Sequence, residues 1–359
     1  MTAKRKGSPQ ARRSPAKRAR MKRMRRRRVR STLLLLCLLG ALCAFGGGAI
    51  YLLNGGLFFE EPVEMYRSFR EFEGSLGISD ALKADGFAKD LCVVTEDVPL
   101  EGVSLGESQE GVLLDLSGKR VLFAKGAHDR VYPASITKIM TAILALKYGN
   151  MSDTVAITEE NVTLEEGSQV CGFAPGDKVT MDQLLNCLLV YSGNDAASAI
   201  AQYVGGSTQG FVDMMNSCAA QLGCTGTHFT NPHGLHDEAH YTTPYDIYLM
   251  LKEALEYPEF TRITQLPSYT VEYTRGDGSV ASTVLDATDH YLTGEASAPR
   301  DVVILGGKTG TTSDAGNCLA LLCQNAYGKP FVSIVMGADT KGDLYQQMNT
   351  LLQNINSLA

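Results

Sequence analysis

Ser135 stands three residues before Lys138, and two further polar triplets follow in order, Ser192-Gly193-Asn194 and Lys308-Thr309-Gly310. A serine hydroxyl at its ordinary pKa is a weak nucleophile and needs a base within hydrogen-bond reach. At a spacing of three residues, Lys138 shares a helix face with Ser135. An ammonium ion cannot accept a proton, but burial and a neighbouring cation lower a lysine pKa towards neutrality, and Lys308 can be that cation. Backbone N–H groups at a helix start, that of Ser135 included, can stabilise a developing oxyanion. Together these residues describe nucleophilic acyl chemistry with a lysine base. Singly, each has a plainer reading: a helix cap followed by a solvated lysine, a turn after a helix, a polar strand end. Their joint occurrence carries the chemical reading.

The surrounding pattern indicates what must hold these side chains. After Pro133, apolar Ile136, Ile139, Met140, Ile143, Leu144 and Leu146 recur at near-helical spacing up to Gly149-Asn150, which predicts a long buried helix with Ser135 at its start. Thr180 with Gln183 forms a capping box for a second helix, Met181 to about Val190, with Ser192-Gly193-Asn194 in the loop beyond it. Thr243-Pro244 with Asp246 marks another helix start, so Asp246 reads as a cap and not a catalyst. Val302 to Leu305 reads as a strand leading into Lys308, and Leu319–Leu322 and Phe331–Met336 as two more. A hairpin is expected over Gly111–Leu116 and Val121–Ala124, and a closing helix over Tyr345–Leu358. Strands at both ends with helices between them predict an α+β layer fold.

The chain has 359 residues, of which 44% are hydrophobic and 20% charged, a globular composition that conceals a sharp division. Residues 1 to 31 hold fifteen Lys and Arg and no acid, whereas the remainder has 18 basic against 39 acidic residues. Between the two lies Leu33–Leu53, an uncharged run of 21 residues. At about 1.5 Å per helical residue it spans the roughly 30 Å hydrocarbon core of a bilayer. The basic block should stay in the cytoplasm and leave the rest of the chain outside. A cleaved signal peptide is the rival, although its apolar region is usually about 7 to 15 residues. The expected organisation is a basic cytoplasmic tail (1–32), a transmembrane anchor (33–53), a stalk (54–87) and a catalytic domain (88–359). The tail can also attract anionic lipid. It has no interleaved aromatic residues to stack on bases, so nucleic acid is not an expected partner.

Nine cysteines are present, two of them, Cys37 and Cys43, inside the apolar run. The other seven have irregular spacing and no Cys-x-x-Cys pair, which fits neither a disulfide framework nor a zinc site. They are expected as small buried apolar residues, with Cys218 and Cys224 the pair most open to bridging.

With these motifs in place, the chain resembles the low-molecular-mass penicillin-binding proteins that act as D-alanyl-D-alanine carboxypeptidases, a family of serine peptidases. Beyond the three motifs, the likeness extends to Pro133-Ala134-Ser135-Ile136-Thr137-Lys138-Ile139-Met140, Pro175-Gly176-Asp177, Asn194-Asp195-Ala196-Ala197 and Asn231-Pro232-His233-Gly234-Leu235, over roughly residues 88 to 355. The resemblance implies a serine β-lactamase/DD-peptidase-like fold, with an antiparallel sheet flanked by helices and a mostly helical subdomain. It also implies roles: Ser135 as nucleophile on the bond between two D-alanines of a peptidoglycan stem peptide, Lys138 as base, Ser192 as proton relay, and Asn194 as holder of Lys138 and of the substrate backbone. Lys308, Thr309, Gly310 and Thr311 would form the substrate-binding strand. Lys308 and Thr309 would take the terminal carboxylate, and the N–H groups of Ser135 and Thr311 would form the oxyanion hole. No metal or organic cofactor is implied, and β-lactam antibiotics would be covalent inhibitors. Many members carry a β-rich domain and an amphipathic anchor after the catalytic part. Here the N-terminal apolar run is expected to serve as the anchor instead.

Other readings remain open. His233, His236 and His240 have metal-ligand spacing, but His233 lies in a Gly- and Pro-containing stretch that suggests a turn and not a zinc-binding helix. A β-lactamase shares the nucleophile and fold but would need a glutamate to activate its deacylating water, and no convincing Glu-x-x-x-Asn lies between Asn194 and Lys308. Endopeptidase action on cross-links uses the same residues. A catalytically inert peptidoglycan-binding scaffold would not need both a nucleophile and its base.

Overall fold

The computed structural model describes residues 90–107 and 109–357, all in the second of two units into which the chain divides, Asp85–Ala359. The basic tail, the apolar run at 33–53 and the stalk lie outside the described residues, so the expected anchor is not seen. Among the described residues no helix is long and apolar enough to cross a membrane.

In chain order, the hairpin β1 (Glu110–Asp115) and β2 (Arg120–Lys125) comes first, then a 3₁₀ turn, Ala134–Thr137, that runs into α1 (Lys138–Tyr148). Next are β3 (Thr154–Ala156), α2 (Glu159–Val162), β4 (Lys178–Thr180) and α3 (Met181–Asn186), which continues into a π-helical turn, Cys187–Tyr191. Helices α4 (Asn194–Gly205), α5 (Thr208–Leu222), α6 (Pro244–Ala254) and α7 (Pro258–Thr264) follow. The hairpin β5 (Ser268–Thr274) and β6 (Val280–Asp286), the short α8 (His290–Thr293), β7 (Val303–Thr312), β8 (Gly316–Gln324), β9 (Pro330–Ala338) and α9 (Lys341–Leu352) complete the described chain.

The strands form two antiparallel sheets, one of five strands in the order β2-β1-β9-β8-β7 and one of four in the order β3-β4-β5-β6. Strand β8 shows how the larger sheet is sandwiched. Leu319, Leu321 and Cys323 pack with Leu344, Met348, Leu351 and Leu352 of α9, whereas Ala320 and Leu322 join the core that contains Ile139 and Ile143 of α1. Alternate residues thus enter opposite cores, which is why β8 reads as an unbroken apolar run. Each buried leucine-sized side chain contributes about 1.5–3 kcal/mol. Helix α1 is buried from Lys138 through Ala145 and lies at the centre of the helical body, where unpaired polar residues would be costly. One charged residue, Lys138, is nonetheless among those buried positions.

Both capping boxes are seen, Thr180 with Gln183 and also Thr158 with Asn161. Thr243 caps α6 by accepting from Asp246 N. Asp246 is therefore not the cap itself. Its Oδ2 accepts from Gly226 N at 2.9 Å and Thr227 Oγ1 at 2.7 Å, tying a loop to the helix.

Several expectations need correction. Ser135 lies in a 3₁₀ turn before α1 and not in the α-helix proper, with Ala134 at φ +46°. The helix from Met181 turns π-helical after Asn186. The last helix spans Lys341–Leu352 and not Tyr345–Leu358, because Thr340 caps it by accepting from Asp343 N. Cys218 and Cys224 are free and buried, and Cys224 Sγ faces Asp246 O at 3.6 Å instead. The four-stranded sheet is an addition to the expected mostly helical subdomain.

Candidate active site

The Lys138 ammonium group, wholly buried, makes three contacts that bring three segments together. Its Nζ lies 2.8 Å from Ser135 Oγ, 2.7 Å from Asn194 Oδ1 and 2.8 Å from His233 O. Burial pushes its pKa well below that of a free lysine, and the positive charge of Lys308 pushes the same way. A lysine so placed can carry a neutral amine, which is what a base for the Ser135 hydroxyl requires.

The nucleophile turn is gripped from two sides. On one, Gly310 of β7 lies so close that a methyl group there would sit 2.9 Å from Pro133 O and 3.0 Å from Ser135 N. The strand can therefore lie this close to the Ser135 amide only if residue 310 has no side chain. On the other, the segment Asn231-Pro232-His233-Gly234 contributes its backbone. Pro232 O accepts from Thr141 Oγ1 at 2.6 Å, and Gly234, at φ +88°, is pressed against Ala134 O. His233 thus serves through its carbonyl.

The π-helical turn ends at Ser192, in the left-handed conformation at φ +68°. Gly193 N donates to Cys187 O at 3.2 Å and Asn194 N to Gln169 O at 2.7 Å. Gln169 also donates to Tyr191 O, so a loop around Gly167–Gly172 braces this motif. Asp195 completes the brace, accepting from Cys171 N at 3.0 Å and Gly172 N at 3.1 Å.

Lys308 on β7 is 1% exposed and donates to Thr309 O at 3.0 Å. Burial lowers its pKa to about 7, against a smaller opposing influence from Asp289. Thr309 Oγ1 is hydrogen-bonded to Thr288 Oγ1 at 2.5 Å.

A cleft of about 270 Å³ is lined by Ser135, Ser192, Asn194, Thr309, Gly310 and Thr311, with Gln169, Leu235, His290, Lys341 and Tyr345 on its outer walls. The predicted site residues are therefore assembled: six line the cleft, while Lys138 and Lys308 sit buried behind it. Missing from the sequence reading were the carbonyl of His233, the Gln169–Asp195 brace and the Thr288–His290 segment. The Asn-Pro-His-Gly-Leu stretch could have pointed to the first, since Gly at positive φ marks close backbone approach. Nothing in sequence spacing pointed to the other two.

The three histidines do not converge. His240 Nε2 contacts Thr137 Oγ1 at 2.8 Å, His233 Nδ1 accepts from Leu235 N at 3.2 Å, and His236 Nδ1 lies 3.8 Å from Asp314 Oδ2. Among the described residues no group of three His, Cys, Asp or Glu side chains is arranged to hold a metal ion.

The family model described as D-alanyl-D-alanine carboxypeptidase matches residues 102–340. Among similar proteins, the D-alanyl-D-alanine carboxypeptidase DacF of Bacillus subtilis is 34% identical over 252 residues, covering 68% of this chain and 61% of the relative. The D-alanyl-D-alanine carboxypeptidase DacC of Escherichia coli is 31% identical, covering 68% of this chain and 60% of the relative. The chain thus spans about three-fifths of the length of these curated relatives. The crystal structure of the Streptomyces K15 DD-transpeptidase has a TM-score of 0.63 at 27% identity, covering 68% of this chain and 94% of that one. The antiparallel sheet flanked by helices is thus shared with that fold.

Proposed function

The chain belongs to the D-alanyl-D-alanine carboxypeptidase family, and from that premise we propose that it is a serine hydrolase that removes the terminal D-alanine from peptidoglycan stem pentapeptides. The observation that carries this reading is the buried Lys138 Nζ at 2.8 Å from Ser135 Oγ, with its pKa depressed by burial and by Lys308. Ser135 Oγ attacks the carbonyl between the two D-alanines as its proton passes to Lys138. The oxyanion is met by the N–H groups of Ser135 and Thr311. Ser192 then relays a proton to the departing D-alanine, and Asn194 holds both Lys138 and the substrate backbone. Lys308 and Thr309 bind the terminal carboxylate, which limits cleavage to the last residue. Water hydrolyses the acyl-enzyme. Each of these groups comes from this chain, so the scheme uses no metal and no organic cofactor. A β-lactam, which also presents a carbonyl and a carboxylate, would acylate Ser135 in the same way.

Incubation of the full chain with benzylpenicillin should add the mass of the drug to the peptide containing Ser135, and a pentapeptide should lose one D-alanine. Absence of both would reject the reading. Rapid turnover of penicillin without a lasting adduct would favour a β-lactamase. If Ser135→Ala lost both activities yet kept cellular function, a scaffold role would be the better account.

The 21-residue apolar run at 33–53 behind a basic tail supports anchoring in the cell membrane, with the tail cytoplasmic and residues 88–359 outside, facing the wall. An anchored chain stays with the membrane pellet through alkaline carbonate washing. Release of the intact chain into the wash would contradict anchoring.

A further inference from the structure

Ala134, immediately before Ser135, has a left-handed backbone at φ +46°, a conformation that a residue with a side chain keeps only when its surroundings impose it. Its carbonyl oxygen ends a chain of hydrogen bonds that starts in the segment supplying His233 O to Lys138. Thr137 Oγ1 donates to Ala134 O at 2.8 Å, and His240 Nε2 lies 2.8 Å from the same hydroxyl. Across the imidazole ring, Thr230 N donates to His240 Nδ1 at 3.1 Å, with Thr230 Oγ1 at 3.2 Å from the same nitrogen.

The direction of the chain follows from its two ends. A carbonyl only accepts, so the single Thr137 hydroxyl proton goes to Ala134 and the hydroxyl oxygen accepts from His240. A backbone N–H only donates, so Nδ1 is an acceptor. Both demands select the same neutral tautomer, with the proton on Nε2. His240 is 2% exposed and Thr137 1%, which leaves water no access to replace either bond. The ring is held edge-on against Phe229, with centroids 5.5 Å apart, and the adjoining Tyr241 and Thr242 bridge to His228 and to Val131.

Two arms thus run from residues 230–233 to the nucleophile turn. One passes from His233 O through Lys138 Nζ to Ser135 Oγ, at 2.8 Å for each step. The other passes from Thr230 N through His240 and Thr137 to Ala134 O. The first places the base, and the second places the backbone that carries the nucleophile. We propose that His240 is a positioning residue which, acting through Thr137 on the Ala134 carbonyl, holds the nucleophile turn so that Ser135 Oγ stays within reach of Lys138 Nζ.

The inference rests on the proposed role of Ser135 as nucleophile. Thr137→Val keeps the side-chain shape and removes the hydroxyl, whereas Thr137→Ser keeps the hydroxyl. Saturation kinetics of the full chain with benzylpenicillin separate the binding constant from the acylation rate constant. Only molecules that react contribute to that rate constant, so misfolded chain lowers the amplitude instead. Thr137→Val should slow acylation about ten- to a hundredfold, because a misplacement of about 1 Å costs up to about a hundredfold, and should leave the binding constant within about threefold. Thr137→Ser should return the rate constant to within about threefold of wild type. His240→Phe, a ring without nitrogens, should be as slow as Thr137→Val, and the double variant should be within about threefold of the slower single one, since both changes break one chain. Should His240→Phe fail to fold, His240→Asn replaces it with the same expectation, because its amide can accept from Thr230 N but stops short of Thr137. A Thr137→Val chain with the wild-type rate constant overturns the proposal. So does a loss confined to binding, a Thr137→Ser chain as slow as Thr137→Val, or losses that multiply in the double variant. A wild-type chain that takes no penicillin rejects the proposed substrate class instead. The same variants are then compared with a fluorophosphonate, which needs only an activated serine and loses fluoride as the Ser135 oxygen bonds to phosphorus. A chain inert to both reagents has no activated serine, and both proposals fall.

Discussion

At Asn194 the side-chain oxygen accepts from Lys138 at 2.7 Å, so the charge of residue 194 bears directly on the base. Asn194→Asp would exchange a neutral acceptor for a carboxylate of nearly the same shape. An opposite charge at that distance favours the ammonium form and raises a lysine pKa by about 1–3 units. The neutral amine at a fixed pH, and with it the acylation rate, should fall about ten- to a thousandfold. The sign distinguishes this from general damage, since the rate should recover as pH rises. Second-order rates of penicillin acylation from about pH 6 to 10 test it, and a uniform loss at every pH would show that the base is not Lys138.

Between elements, the brace on Ser192-Gly193-Asn194 depends on close approach. A methyl group on Gly193 would sit 2.3 Å from Cys171 Sγ, although its φ of −59° suits any residue. Gly193→Ala should therefore destabilise by about 1–3 kcal/mol through overpacking and not through backbone strain. Cys171→Ala in the same chain should recover part of that loss, because it removes the colliding sulfur. Urea denaturation of the two single variants and the double variant measures the coupling, and simple additivity would mean that the thiol is not the obstacle. Contacts of this kind explain what was legible in the sequence. The three motifs, the α1 core pattern, both strands after Lys308 and the capping box at Thr180 could be read locally, since each rests on spacing within about a dozen residues. The β5–β6 hairpin was missed although Gly276-Asp277-Gly278 marks its turn, because exposed Val280 and Val284 blur the alternation set by buried Val271, Tyr273, Ala281 and Leu285. The π-helical turn and the pairing of Thr288 with Thr309 depend on distant neighbours, which periodicity does not register.

Across the whole molecule, burying several bases in and beside one cleft gives stability a common dependence on pH. His240 and His233 are held neutral by burial, with pKa values lowered to about 4 and about 3, so folding becomes less favourable as pH falls below their unfolded value of 6.5. Lys308 has the same sign in a higher window. Its folded pKa is about 7 against 10.5 unfolded, so the unfolded chain binds the extra proton between those values. The resulting penalty on folding is fully present below about pH 7, shrinks as pH rises, and is gone above 10.5. Replacing a buried charge by an apolar side chain of similar length removes the penalty. Lys308→Met should therefore stabilise the chain, on the order of 4 kcal/mol at pH 7 for a pKa lowered from 10.5 to about 7, and progressively less towards about pH 10. It should at the same time lose recognition of a terminal carboxylate, the exchange of stability for function expected of a charged site residue. Urea denaturation of wild type and Lys308→Met at about pH 7 and about pH 10 reads the difference directly. A variant less stable at the lower pH, or a gain that does not shrink with rising pH, would show that Lys308 is paired well enough to support the fold and not merely tolerated by it.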